Sequence, residues 1–274
     1  MGKFATSWAL TKASLQVVRQ DKELLWLPVL SVLASIATFL LVSGVGLGLA
    51  LIPGVRGDPL AFAWLAVVYL ALAFVQVYFA AAVMEGAHQR LTGGDPTVNS
   101  AMRAAWAKKG RIFAWSVVVA TVNLILSLLR ERGGGAGRVA AAVGSIAWTI
   151  ATYFVLPVIL FENLGVGGSM DRSRQLLKKS WGESIIGSSG IGLVFGLCIF
   201  AIILLVALVV MTAGPLVGLP LVVLAFVAIL VLASLSFVVQ GVYRTALYRY
   251  ATTGQAGGPF TPEQMVGAFT TRKA

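Results

Sequence analysis

The stretch Ile185–Met211, IIGSSGIGLVFGLCIFAIILLVALVVM, contains no charged residue. It is longer than the roughly 20 apolar residues that a helix needs to cross about 30 Å of hydrocarbon. Glu183 and Ser184 precede it, and Gly214-Pro215 follows it closely, so the run has defined ends. Such a long uncharged run predicts a transmembrane helix.

The overall composition agrees with a membrane protein. Hydrophobic residues make up 58% of the 274-residue chain, charged residues make up 11%, and the mean hydropathy is +0.91. Soluble domains are about 45–50% apolar and about 25% charged, so a single water-soluble core could not hide this apolar surface. The net charge of +11 would also suit a nucleic-acid-binding protein, but here the basic residues lie between apolar runs. We therefore expect no nucleic-acid partner.

Five further apolar runs resemble the first. Every backbone polar group is satisfied within a helix, so six such runs predict six transmembrane helices in lipid. Their continuous apolarity differs from the alternation that a β-barrel strand shows. The first run is too long and begins too late for a cleaved secretory signal, and we expect it to be retained. The predicted spans are Leu24–Ile52, Leu60–Met84, Ile112–Leu129, Val139–Phe161, Ile185–Met211 and Leu219–Tyr243.

The basic residues are unevenly distributed between the connections. Of the 21 lysines and arginines, 17 lie in the two terminal segments and the two long connections, and 4 lie in the three short hairpin turns. Cytoplasmic connections of membrane proteins are enriched in Lys and Arg. This distribution predicts that both termini are cytoplasmic and that the chain lies in the plasma (inner) membrane.

Three glycine pairs precede residues that commonly cap helices. Gly93-Gly94 precedes Thr97, Gly167-Gly168 precedes Asp171, and Gly257-Gly258 precedes Thr261. The segment behind each cap, and the N-terminal segment, place apolar residues on one side and Lys or Arg on another, as interfacial helices do. We therefore predict an all-α integral membrane fold of three parallel repeats, each an interfacial amphipathic helix plus a transmembrane hairpin. The predicted repeat units are 1–92, 93–166 and 167–256, followed by an interfacial helix in 257–274.

Several short motifs recur in one known family. They are Ser7-Trp8-Ala9-Leu10-Thr11-Lys12, Asp21-Lys22-Glu23 with Pro28, Gly94-Asp95-Pro96-Thr97, Ala105-Trp106-Ala107, Pro157, Glu162, Ser173 and Trp181-Gly182-Glu183. Over about residues 1–250 the chain resembles an uncharacterised family of six-span prokaryotic membrane proteins, a domain of unknown function. Pro157 to Trp181 is more distantly similar to the membrane domain attached to some glycerophosphodiester phosphodiesterases. This chain has no room for their soluble catalytic domain, so the resemblance implies a fold and a compartment but no enzyme activity.

Polar groups at membrane depth are costly, and each marks a candidate functional position. Gln76, Asn123, Arg130 and Gln240 form a candidate polar path. Small polar residues also repeat along several spans at helical spacing. Such stripes either pack helices closely or line a route for a small solute or lipid.

A second group of polar residues lies where the second, fourth and sixth spans are predicted to end. These residues either converge as a polar mouth or pair with basic residues of the following interfacial helix and fix its angle. The candidate boundary cluster consists of Glu85, His88, Glu162, Asn163 and Arg244.

The sequence offers little material for catalysis or metal binding. His88 is the single histidine and Cys198 the single cysteine, so neither a catalytic triad nor a His or Cys metal cage is expected. We expect no cofactor, no metal and no enzyme activity.

Basic residues on the interfacial segments are expected to bind anionic lipids of the inner leaflet. These residues are Lys12, Arg19, Arg103, Lys108, Arg174 and Lys178. Two functions stay open: transport or pore-type handling of a small solute or lipid, and a membrane scaffold or accessory subunit. The protein partners considered are a second copy of the chain and another membrane protein.

Overall fold

The computed structural model describes residues 3–50, 58–179, 183–213 and 215–261. Their regular structure is entirely helical. The helices are α1 (Lys3–Gln20), a short 3-10 helix (Lys22–Leu25), α2 (Trp26–Ala50), α3 (Asp58–Leu91), α4 (Val98–Trp106), α5 (Lys109–Arg132), α6 (Gly134–Ala151), α7 (Val155–Phe161), α8 (Val166–Lys179), α9 (Glu183–Ala213) and α10 (Pro215–Thr253). The side chain of Trp181 and the predicted C-terminal interfacial helix, from residue 262 onwards, lie outside the described residues.

The described part of the chain contains six helical segments that are long and apolar enough to cross a membrane. The prediction of an all-helical chain with six such segments is therefore confirmed. They are Lys22–Gly48, Ala63–Leu91, Lys109–Arg132, Gly134–Phe161, Val194–Thr212 and Gly218–Thr253. Two helices continue beyond the predicted apolar runs, because α3 ends at Leu91 and α10 ends at Thr253.

The chain divides into two units. The first contains Met1–Pro28, Ala87–Pro96 and Ser180–Ala274, and the second contains Val29–Gly86 and Thr97–Lys179. In the first unit α1 packs against α9 and α10, which also pack against each other. Val17 and Val18 of α1 are buried, whereas Lys12 and Arg19 are exposed.

Close approach of α2 and α3 in the second unit depends on a glycine. The indole of Trp64 lies over Gly46, and its Nε1 donates a hydrogen bond to the carbonyl of Val42 at 2.9 Å. A Cβ on residue 46 would lie 2.0 Å from that Nε1. Only glycine leaves room for the ring here, since real Cβ atoms essentially never approach another atom so closely.

Helix α4 begins where the sequence predicts. Thr97 is its N-cap and forms a capping box with Ser100, which satisfies two backbone N–H groups. Ala101 and Ala105 are its buried residues, whereas Trp106 is 51% exposed. Alanines allow the helix backbone to lie close to its neighbours, and the larger indole stays at the surface.

Helix α8 begins earlier than predicted. The glycine pair at 167–168 and Asp171 were expected to precede the helix, but α8 starts at Val166 and includes them. Ser169 and Ser173 are fully buried on its inner face, so the first turn is part of the packed surface. Asp171 is not an N-cap, and its carboxylate instead accepts a hydrogen bond from Arg174 at 3.3 Å.

The fourth span is interrupted, although the sequence predicts one continuous helix. Helix α6 ends at Ala151 and α7 begins at Val155. Pro157 lies in the first turn of α7, where its missing N–H costs no hydrogen bond, and proline disfavours a continuous helix on its N-terminal side. The span therefore consists of two helices joined by a three-residue turn.

The hydroxyl of Ser173 satisfies the backbone at this interruption. In a continuous helix Phe154 N–H would donate to Ile150, and Ala151 C=O would accept from Val155. Here Phe154 N–H donates to Ser173 Oγ at 3.2 Å, and Ser173 Oγ donates to Ala151 C=O at 3.0 Å. Val155 N–H donates to Thr152 C=O instead. One side chain of α8 thus replaces two lost helical hydrogen bonds.

We expect Ser173→Ala to lower the free energy of unfolding by about 1–3 kcal/mol, because a buried N–H and a buried C=O lose their partner. Thermal unfolding of the purified protein in detergent micelles measures this change.

Ser145→Ala is the matched control. The Ser145 hydroxyl donates to Ala141 C=O within its own helix, so its loss leaves no unpaired backbone group, and an effect within about 0.5 kcal/mol is expected. Equal stability of the two variants would contradict the role of Ser173.

Candidate functional site

A buried ion pair connects α3 to the start of α5 in the second unit. The ammonium of Lys108 donates a hydrogen bond to the carboxylate of Glu85. The Glu85 side chain is 7% exposed and that of Lys108 is 24% exposed. The sequence predicts that Glu85 lies at the end of its helix. In the structure it lies within α3, which continues to Leu91. The two charges compensate each other, so neither is left buried alone.

A second ion pair lies at the end of α7. Glu162 is the C-cap of this helix, and its carboxylate accepts hydrogen bonds from Arg172 Nε of α8 at 3.1 and 2.8 Å. The Lys108 ammonium lies 5.5 Å from the ring centre of the neighbouring Phe161, within the range of a cation–π contact. Arg111 also donates to Ile159 C=O at 3.4 Å.

These residues form one polar group, which we call the boundary network: Glu85, Lys108, Arg111, Glu162 and Arg172. It joins α3, α5, α7 and α8 by contacts between charged groups, a backbone carbonyl and an aromatic ring. Within the residues described, no three His, Cys, Asp or Glu side chains are close enough to hold a metal ion. The arrangement can fix helix ends, and its cations already have acceptors.

The structure divides the predicted boundary cluster between the two units. Glu85, Glu162 and Asn163 belong to the second unit, whereas His88 and Arg244 belong to the first. Asn163 has a φ of 59°, which suits the turn after α7 because Asn tolerates the left-handed region. Within the second unit, the contacts match the interpretation in which Glu162 pairs with the following short helix.

The first unit has an ion-pair cluster that the sequence does not predict. The guanidinium of Arg90 binds the buried carboxylate of Asp21 and also Asp95, the latter at 2.7 Å. Arg249 of α10 donates to Leu91 C=O, so the end of α3 has partners in two other segments. Asp21 and Arg90 are 69 positions apart, and no local pattern indicates such a pair.

The four residues of the candidate polar path have different environments. Gln76 donates to Ser35 Oγ of α2 at 3.0 Å, and Gln240 donates to Ser236 Oγ of its own helix at 2.9 Å. Asn123 and Arg130 of α5 are exposed. The two glutamines thus satisfy their amides through neighbouring serines.

Gln76 and Asn123 lie at different depths. Helix α3 contacts α5 through the rings of Phe74 and Phe113, whose centres are 5.8 Å apart. For two antiparallel helices this contact places Gln76 and Asn123 twelve residues apart along the axes, about 18 Å at 1.5 Å per residue. The contact between Glu85 and Lys108 places them six residues apart, about 9 Å. The structure does not bring them together.

Most of the predicted lipid-binding cations are accessible. Lys108 is the exception, because its ammonium binds Glu85 inside the second unit. Lys109, which the sequence analysis did not select, is exposed and lies 4.8 Å from the ring centre of Trp106. The exposed cations among those predicted are Lys12, Arg19, Arg103, Arg174 and Lys178.

Replacing Lys108 by Met should destabilise the protein by about 3–5 kcal/mol, because Glu85 would be left as an uncompensated buried charge. The additional change Glu85→Leu should restore most of this loss, since an apolar pair can replace a buried ion pair at little cost. The free energy of unfolding in a detergent titration provides the measurement.

The neighbouring exposed lysine supplies the control for this prediction. Lys109→Met removes the same charge but loses only a surface cation–π contact, which is worth about 0.5–1 kcal/mol. If Lys108→Met were no more harmful than Lys109→Met, the Glu85–Lys108 pair would not stabilise the fold.

A search of curated proteins gives no match to this chain. The model of a family of unknown function, DUF6159, matches residues 60–258. This match covers α4 to α10 and most of α3, and it therefore includes the whole boundary network. The chain belongs to the DUF6159 family.

Proposed function

We propose that this protein is a non-enzymatic multi-pass protein of the plasma (inner) membrane that acts as a scaffold or accessory subunit. Its short helices bind anionic lipid at the membrane surface and hold the ends of the spans. Both termini are cytoplasmic in this proposal, which is supported by the uneven distribution of the 21 basic residues. The proposal requires no cofactor and no metal.

The junction of α4 and α5 is the observation that carries the proposal. Its tryptophan, Trp106, is 51% exposed and contacts Tyr78 edge-on at 5.8 Å. Arg103 and Lys109 are exposed beside it, and the Lys109 ammonium lies over the indole. Tryptophan is enriched at the boundary between hydrocarbon and water, and neighbouring Lys and Arg attract anionic headgroups. A phospholipid phosphate is the ligand that suits this combination.

The boundary network supports the scaffold part of the proposal. It connects α8 to α7 and the start of α5 to α3 through paired charges, so the surface helices hold fixed positions on the spans. The contact of Gln76 in α3 with Ser35 in α2 also favours helix packing over a polar route.

A repeat architecture is part of the proposal. The units 1–92, 93–166 and 167–256 would then be copies of one ancestral element, each with an interfacial helix and a hairpin. The similarity of Pro157–Trp181 to phosphodiesterase membrane domains stays a prediction and assigns no activity.

We expect the variant Arg103→Gln/Lys109→Gln to retain less anionic lipid than the parent protein, by up to about fivefold for each charge removed. The protein is incorporated into nanodiscs of phosphatidylcholine and phosphatidylglycerol and then extracted with limiting detergent. Mass spectrometry of the lipids that remain bound gives the ratio of phosphatidylglycerol to phosphatidylcholine.

Two controls distinguish the loss of this site from a general loss of positive charge. Arg103→Lys/Lys109→Arg preserves both charges and should retain the parent ratio. Arg130→Gln/Arg132→Gln removes the same charge from the α5–α6 turn and should have a smaller effect. Equal losses in both charge-removing variants would contradict a lipid site at the α4–α5 junction.

Transport or pore-type handling of a small solute or lipid is the second candidate function. The interrupted fourth span favours it, because transporters often build binding sites at broken helices. If it is correct, vesicles containing the protein should move a headgroup-labelled phospholipid between leaflets faster than empty vesicles. Asn123→Leu and Gln76→Leu should slow that movement, which dithionite quenching measures. Equal rates with and without protein, or in parent and variants, would contradict this lipid-handling role.

A further inference from the structure

Asn123 is a polar residue in an unusual position. It lies 14 residues after the start of α5 and nine before its end, so it is about 21 Å and 14 Å from the two ends at 1.5 Å per residue. This places it near the middle of the span. Its side chain is exposed, and an amide facing hydrocarbon at that depth is costly.

Asn123 lies beside an exposed apolar part of α5. Leu124 is 49% exposed and Leu128 is 40% exposed, and the polar Ser127, one turn from Asn123, is also exposed. Exposed leucines suit contact with hydrocarbon or with another protein chain.

Two other amides in the spans show the usual solution to this problem. Gln76 donates to a serine of α2, and Gln240 donates to a serine one turn away. Asn123 is exposed instead, and no contact within the described part of the second unit satisfies its amide.

We infer that Asn123 is the centre of an interface between two copies of this chain. Both copies have the same orientation in the membrane, so two α5 helices that pair across a twofold axis bring Asn123 to the same depth twice. A carboxamide both donates and accepts, so two of them complement each other. Ser127, one turn away and exposed, is small enough for close helix approach.

Charges at the end of α5 also suit a second copy. Arg130 lies two turns from Asn123 on the same side of the helix, and Glu131 is its neighbour. Both are exposed. In a parallel pair each copy therefore offers one cation and one anion at the same depth, and Arg130 of each copy can bind Glu131 of the other.

Disulfide crosslinking in lipid vesicles tests this interface. Cys198 is exposed, so Cys198→Ala provides the background, and Asn123→Cys and Ser127→Cys are added singly. Each should crosslink to a species of twice the mass on oxidation with copper phenanthroline. Ile125→Cys is the matched control, because Ile125 is 57% exposed at nearly the same depth but lies about 200° around the helix. It should not crosslink.

Subunit counting tests the role of the amide itself. Single-molecule photobleaching of labelled protein in vesicles should show mostly pairs for the parent at high protein-to-lipid ratio. Asn123→Leu should weaken pairing by about 3- to 30-fold, the range expected for a hydrogen bond between membrane helices. Asn123→Gln retains the amide and should pair more strongly than Asn123→Leu. This comparison remains informative if one variant folds poorly, since the crosslinking arm keeps every native residue except the two replaced.

Several results would overturn the inference. One is a parent protein that remains single at all protein-to-lipid ratios. Another is equal crosslinking at positions 123 and 125. A third is rapid labelling of Asn123→Cys by a membrane-impermeant thiol reagent without crosslinking, which would place the residue on a water-filled route instead.

Discussion

A backbone N–H or C=O without a partner costs several kcal/mol inside a bilayer, and in the fourth span this constraint is met by a single hydroxyl. Ser173 replaces the hydrogen bonds that Phe154 and Ala151 lose at the interruption. Because Ser173 belongs to α8, this helix must lie where the hydroxyl reaches the turn. Arg172, the preceding residue of that helix, is then placed at Glu162. The position of α8 and the second ion pair therefore depend on the same two hydrogen bonds of Ser173.

The side chains obey the same constraint as the backbone. Glu85 and Asp21, the two most buried acidic side chains among the ion pairs, each bind a cation that is itself only partly exposed. Two amides of the spans bind serines. A route for solutes needs polar groups that water can reach, whereas these groups bind other residues within each unit. The pairing therefore helps to hold each unit together, and it supports the proposed scaffold role more than the transport alternative.

The sequence was sufficient to predict six spans because their length and apolarity alone meet the requirement of a bilayer. It also predicted the start of α4, since Thr97 and Ser100 form their capping box from residues three positions apart. It did not predict the interruption at Thr152–Phe154, because a proline in an apolar run is also compatible with a kinked helix. The predicted start of α8 was also wrong. Glycines can belong to the first turn of a helix when that turn is packed, as it is at the buried Ser169. The partners of Glu85 and Asp21 could not be predicted, because they depend on the register of helices distant in sequence.

Lys108 and Lys109 show how the same residue type acquires different roles in adjacent positions. The first is held against Glu85 and Phe161 inside the second unit, and the second lies over the exposed ring of Trp106. The two adjacent side chains have different partners, and this separates a structural charge from an accessible one. The same distinction separates Gln76 from Asn123. Polar groups that already have partners account for the stability of each unit, and the exposed ones are those available to lipid phosphate or to another protein chain. Under the proposed function, lipid binding and chain pairing should therefore depend more on Arg103, Lys109 and Asn123 than on the paired charges.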